Sequence, residues 1–185
     1  MLRQTSIIAA VLLTATAIAQ SAPAPSGAAI DIPNSEIQRI AQRNASAPVS
    51  DQQIRVINVN NDYNVGVGVV HRARTEKQSV GGSEHSQITE VYHVISGNGT
   101  LVTGGTIENA KNRAADNEAV RILTGPSMEG TRIVGGVVRK IGPGDVIVIP
   151  PNTPHTFTEI TSPEIVYLVV RFDPHKVLPA GYVAK

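Results

Sequence analysis

Apolar and polar positions alternate along most of the chain after residue 53. Val65, Val67 and Val69 alternate with Gly66 and Gly68, and Ile88, Glu90, Tyr92 and Val94 share one parity. A period of two is the mark of a strand with two unlike faces. It predicts strands over 54–59, 65–69, 88–95, 100–103, 132–140, 146–149, 155–159 and 165–172. Turn-forming clusters separate them: Asn60 to Asp62, Ser96 to Gly99, Gly142 to Asp145 and Pro150 to Pro154. The glycines of the valine strand imply that something approaches its other face closely. Many short strands with regular turns predict an all-β fold, a barrel or jelly roll. One short helix precedes them over 34–47: Ser35 and Gln38 have the spacing of a capping pair, and Ile37, Ile40 and Ala41 share a face. The stretch 107–118 reads as a short helix or a loop.

The 185 residues, 41% of them hydrophobic, suffice for one domain with a real core. A net charge of +1 argues against nucleic-acid binding through bulk charge. The first 19 residues read as an export signal: Arg3 supplies the positive start, 7–19 is apolar, and Ala17 and Ala19 are small residues at a cleavage site. An uncleaved anchor is the alternative, although the run is shorter than the ~20 residues that span a bilayer. Export places the mature chain in the periplasm or outside a bacterial cell, with no stable membrane span after processing. Cysteine is absent, so neither disulfides nor thiolate metal sites can form. The expected organisation is signal 1–19, flexible leader 20–33, helix 34–47, barrel domain 53–175 and C-terminal tail 176–185.

Candidate chemistry sits in two segments. In the first, four residues separate His85 from Glu90, and Gly97 follows; in the second, Gly144 and Pro150 precede His155. Two imidazoles and a carboxylate suit a divalent transition metal that keeps open positions. The two segments resemble the paired motifs of the cupin superfamily, small β-barrels that commonly hold a metal inside. The resemblance covers roughly residues 53 to 172. It implies a cupin-type barrel with His85, Glu90 and His155 as ligands of iron, manganese, zinc or nickel. Three positions depart from the motifs. Ser83 replaces the first histidine, which reduces four ligands to three; Lys77 replaces the leading glycine; and Asn152 replaces an inner glycine, a mild change because asparagine tolerates a left-handed turn.

Strand parity extends the site. Tyr92 shares the Glu90 face, where its hydroxyl is a candidate acid, base or orienting group, whereas His93 points the other way. Phe157 shares the His155 face and is a candidate pocket wall or ordinary core, and Ser83 borders the same pocket. His71 extends the valine face of its strand; it either points into the barrel to meet ligand or metal, or is a satisfied edge histidine, the commoner arrangement. Arg72, Arg74 and Arg171 can meet an anionic substrate, although strand arginines are usually solvated. Residues 125–130 read as a mobile segment able to fold over the barrel mouth. Two functions fit: a metal-dependent exported enzyme acting on a small organic molecule, such as a dioxygenase, lyase or isomerase, or a non-catalytic barrel binding a sugar or other metabolite without metal. By analogy with cupins, a homodimer is expected.

Overall fold

The computed structural model describes residues 29–76 and 81–185. The export segment, most of the leader and Lys77 lie outside the described residues. Within the unit Ile32–Lys185 the chain opens with helix α1 (Asn34–Ala41), extended by a 3-10 turn at Gln42–Asn44. The helix starts two residues earlier than a Ser35 cap predicts. Pro33 occupies the cap, no side chain caps it, and the Pro33 carbonyl accepts from the Glu36 and Ile37 amides. Ile37, Ile40 and Ala41 pack against Ile54 and Val69 on the outside of the sheet, as their shared face implies.

Eleven strands follow: β1 (Val49–Val59), β2 (Tyr63–Ala73), β3 (Ser83–His85), β4 (Thr89–Thr103), β5 (Thr106–Glu108), β6 (Lys111–Asn112), β7 (Ser127–Glu129), β8 (Arg132–Val134), β9 (Val137–Ile141), β10 (Val146–Ile149) and β11 (His155–Asp173). Every pairing is antiparallel, and nine of the strands join one sheet. The fold class is all-β, a curled jelly-roll barrel with one short helix.

Some expected turns are bends inside longer strands. β4 and β11 stay paired from end to end, through Ser96 to Gly99 on one and 161–164 on the other, by shifting register. Gly97 makes the shift possible: its φ is +77°, and an added Cβ would lie 1.9 Å from the Glu164 carbonyl oxygen. The Gly142–Asp145 segment is a tight turn, but it does not close a hairpin. It carries the chain from β9, paired with residues 99–103 of β4, to β10, paired with residues 90–93 of the same strand. The stretch 107–118 is neither helix nor simple loop: it contributes to β5 and β6, and a single π-helical turn follows at Val120–Thr124.

Register fixes which face of β2 looks inward. Arg171 lies opposite Gly66 and Glu90, Val169 opposite Gly68 and Tyr92, and Tyr167 opposite Val70 and Val94. Directly opposed residues share a face, so Gly66, Gly68, Val70 and Arg72 face the interior and the Val65–Val67–Val69–His71 row faces out. Of the two readings of His71, the inward one does not hold: the residue lies on the outer face. The valine row is apolar because a second layer covers part of it: Ile40 of α1 and Ala184 of the C-terminal segment pack against Val69. That C-terminal segment runs back along β1, with Gly181 and Ala184 amides donating to the carbonyls of Val56 and Ile54.

Gly97→Ala is expected to destabilise the protein by at least ~2 kcal/mol, since it adds a clash with backbone to a left-handed conformation. Gly144→Ala, also at positive φ (+88°) but with nothing within 4 Å of an added Cβ, is expected to cost only ~1 kcal/mol. Equal urea midpoints for the two variants would contradict this account of the bend.

Candidate metal centre

His85 stands at the end of β3, Glu90 near the start of β4 and His155 at the start of β11. All three are buried, and one ligand atom from each lies within 4.8 Å of the others. Glu90 Oε2 is 3.7 Å from His85 Nε2 and 3.5 Å from His155 Nε2. Ligand atoms on one ion with bonds of ~2.1 Å stand roughly 3.0–3.4 Å apart, so the separations here exceed that only slightly.

The outer hydrogen bonds decide what these atoms offer. His155 Nδ1 faces the Thr153 carbonyl at 2.9 Å, which can only accept, so Nδ1 carries the proton and Nε2 presents a lone pair. His85 Nδ1 meets Ser127 Oγ at 2.9 Å, and Ser127 Oγ lies 2.8 Å from the Gly125 carbonyl. The single serine proton goes to that carbonyl, so His85 Nδ1–H donates to Ser127 and its Nε2 is also a bare acceptor. Three acceptors thus converge with no donor of their own for one another. That arrangement fits a divalent cation: His85, Glu90 and His155 form a candidate metal-binding triad.

The electrostatics agree. Burial is the largest cause pushing the His85 pKa down, to about 3, with His155 and Arg171 adding to it and Glu90 opposing. The ring is neutral at physiological pH, as a ligand must be. Burial works against the Glu90 carboxylate, but the neighbouring His85, Arg171 and His155 and the Tyr92 hydrogen bond outweigh it and hold the pKa at about 2. Arg171 is the member of that set that is always charged. Its Nε donates to Glu90 Oε1 at 3.1 Å, while the Tyr92 hydroxyl donates to Oε2 at 2.9 Å. Burial, and then the charge of Glu90, push the Tyr92 phenol well above its ordinary value, so it keeps its proton.

The inward residues enclose a cavity of about 160 Å³ lined by the triad with Ser83, Tyr92, Arg72 and Tyr167, among others. A wider cleft of about 640 Å³ is lined by Ser83, His155 and Phe157, together with Arg72. The structure thus brings Ser83, Tyr92 and Phe157 around the triad and leaves out His71. That histidine lies behind the sheet, 2.8 Å from Glu164. His93 is exposed, on the face opposite Tyr92. Asn152 has a φ of +58°, and its amide donates to the His85 carbonyl at 2.8 Å.

Three features are not apparent from the pattern alone. Arg171 is 1% exposed, where a strand arginine is normally solvated. Residues 125–130 are not a free flap: β7 pairs with β3, and Ser127 holds His85. Asp51 Oδ2 receives Arg171 Nη2 at 2.5 Å, while its buried Oδ1 has no partner and borders the small cavity's wall. A serine among 46 residues without a motif gives no signal of its own. The Gly66 and Gly68 gaps were the available sign of a large inward side chain.

Residues 132–180, which include the second motif, match the model of the AraC-like ligand binding domain. No functionally curated protein matches the sequence. Among solved structures, a cupin protein from Bacteroides fragilis is 16% identical, with 64% of this chain and 72% of that one covered and a TM-score of 0.37. The DMSP lyase DddQ from Ruegeria pomeroyi is 15% identical over 75% of this chain and 53% of its own, with a TM-score of 0.43. A candidate sugar phosphate isomerase from Acidithiobacillus ferrooxidans is 18% identical over 58% of this chain and 49% of its own, with a TM-score of 0.34. The chain spans about half the length of the last two proteins.

In the metal-free protein, His85 and Glu90 both make stability fall on acidification. The buried His85 ring has a folded pKa near 3 against an ordinary 6.5, so below 6.5 the unfolded chain takes up a proton that the folded one refuses. Glu90 adds stability that is complete above an ordinary 4.5 and lost as pH falls toward 2. Between pH 6.5 and 5 only the His85 contribution acts, costing about 2 kcal/mol. Urea titrations at pH 7 and 5 are expected to show that loss in the wild type and in His93→Gln, and much less of it in His85→Gln.

Proposed function

We propose that this protein is an exported cupin that holds one divalent transition metal on His85, Glu90 and His155 and acts on a small organic molecule. The observation that supports it is the set of three converging acceptors, with both imidazole protons committed to Ser127 and Thr153 on the far side of the rings. The match to a ligand-binding family over 132–180 supports a small-molecule role. Iron, manganese, zinc and nickel all suit such nitrogen and oxygen donors. No described helix is long and apolar enough to cross a membrane. The apolar run at 7–19 supports export to the periplasm or the medium.

A bound ion would supply Lewis acidity and open coordination positions. The chain's own residues do the rest. Arg171 and Tyr92 fix the Glu90 carboxylate from either oxygen, Ser127 and Thr153 fix the two rings, and Tyr92 and Tyr167 wall the inner cavity while Phe157 walls the outer cleft. With its proton held on Glu90, Tyr92 acts as an orienting group rather than as a base. Ser83 favours a second reading, a barrel that binds a metabolite without metal or turnover.

Metal analysis of the purified mature protein separates the two. About one ion of iron, manganese, nickel or zinc per chain is expected. His155→Ala should abolish uptake, and His93→Ala should leave it unchanged. A wild-type preparation that takes up none of the four metals in stoichiometric amount would sink the metal reading.

A further inference from the structure

Arg72 is the cation of the cleft that makes no direct ion pair with a carboxylate among the described residues, Asp51 acting on it only at longer range. It stands near the end of β2 on the inward face, opposite Ile165. Its Nε donates to the Tyr167 hydroxyl at 3.0 Å, and its guanidinium carbon lies 4.9 Å from the centre of the Phe157 ring. Those contacts hold the planar group by one edge and one face. The two Nη atoms have no partner among the described residues. Other cations of the cleft are engaged: Arg171 with Glu90 and Asp51, and Lys111 and Arg113 with the one carboxylate of Glu129 at 3.5 and 2.9 Å. A half-buried guanidinium with only a distant counter-charge is open to a direct anionic partner, and its fork of N–H groups matches a planar carboxylate.

We propose that the substrate is a small organic acid whose carboxylate is held by Arg72 while the rest of the molecule reaches toward the triad. This rests on reading the barrel interior as a small-molecule site. Arg72 lines both the inner cavity of about 160 Å³ and the outer cleft of about 640 Å³, so a ligand can meet it and the triad together. The inner volume equals about five waters at ~30 Å³ each, which limits the acid to a few heavy atoms. A carboxylate is favoured over a phosphate because the site presents one free fork, not a ring of donors. Asp51 and Glu90 on the same walls would also repel a doubly charged group.

The test is calorimetric titration of metal-free and metal-loaded protein with formate, acetate, malonate, succinate and glutarate. Their uncharged amides and inorganic phosphate serve as comparisons. At least one carboxylate should bind tenfold or more tightly than its amide, in both forms of the protein. Arg72→Gln should lose at least tenfold of that affinity with its metal content unchanged, and Arg72→Lys should recover part of it. If Arg72→Gln fails to fold, Tyr167→Phe, which frees the Arg72 Nε, should weaken carboxylate binding at least threefold. Carboxylates binding no better than amides, phosphate binding more tightly than every carboxylate, or wild-type affinity in the folded Arg72 variants would each overturn the proposal. Metal content measured on the same samples separates the outcomes. Arg72-dependent binding in a protein that takes up no metal refutes the metal reading alone, and a metal-loaded protein without carboxylate preference refutes this proposal alone.

Discussion

Arg171 enters the barrel from β11 with 1% of its surface exposed, and the groups that receive it lie on two other strands: Glu90 on β4, and Asp51 and Gln53 on β1. The backbone of β2 yields space for it. An added Cβ on Gly68 would lie 3.1 Å from Arg171 Nη1, and one on Gly66 would lie 2.7 Å from the Gln53 amide nitrogen and 3.3 Å from Arg171 Cβ. The Val-Gly-Val-Gly pattern and the buried arginine are therefore one device. Burying two charges is costly, and such a pair seldom improves stability over apolar packing. Breaking one by removing a partner costs roughly 3–5 kcal/mol. What the pair provides here is orientation: with Oε1 held by Arg171 and Oε2 by Tyr92, the Glu90 carboxylate has one remaining direction, toward the two imidazoles.

Much of this was legible in the chain because spacing and parity are local properties. The strand holding Glu90 has the length and alternation that put Tyr92 beside it and His93 on the outside, and that is where they lie. Asn152 adopts the left-handed turn that its replacement of glycine requires. The failures come from long-range facts. The inward alternative for His71 depends on the valine face of β2 looking into the barrel. Both faces of that strand are covered, one by the barrel contents and one by α1 and the C-terminal segment, so hydrophobicity cannot choose between them. Arg171 reads as solvated because only its partners 81 and 120 residues away make burial tolerable. The bends at Gly97 and 161–164 read as turns because glycine and serine punctuate both. In the fold, cross-strand pairing continues through them.

The long insertion between Gly97 and Gly144 does not follow the barrel rhythm, yet it completes the site. Its β7 strand adds to β3, and the Ser127 hydroxyl it delivers sets the tautomer of His85. The second histidine needs no such help, because the Thr153 carbonyl two residues earlier does the same for it. The two rings are thus prepared by different means. One depends on its own turn, and the other depends on a segment more than forty residues along the chain.

Ser83 has a geometric role set by its place in the fold. It lies opposite His155 in the register of β3 and β11, and it lines both the inner cavity and the outer cleft. An imidazole at that position would occupy space where the two volumes share Ser83, Arg72 and His155. Serine, several heavy atoms smaller, leaves that space open. The charge layout follows the same division. The inner end is balanced by Arg171 against Glu90 and Asp51, whereas the Nη atoms of Arg72, on the walls common to both volumes, have no direct partner among the described residues. With serine at this position, the inner cavity and the outer cleft share walls that carry Arg72 and His155, so the two volumes meet beside that cation and the three bare acceptors.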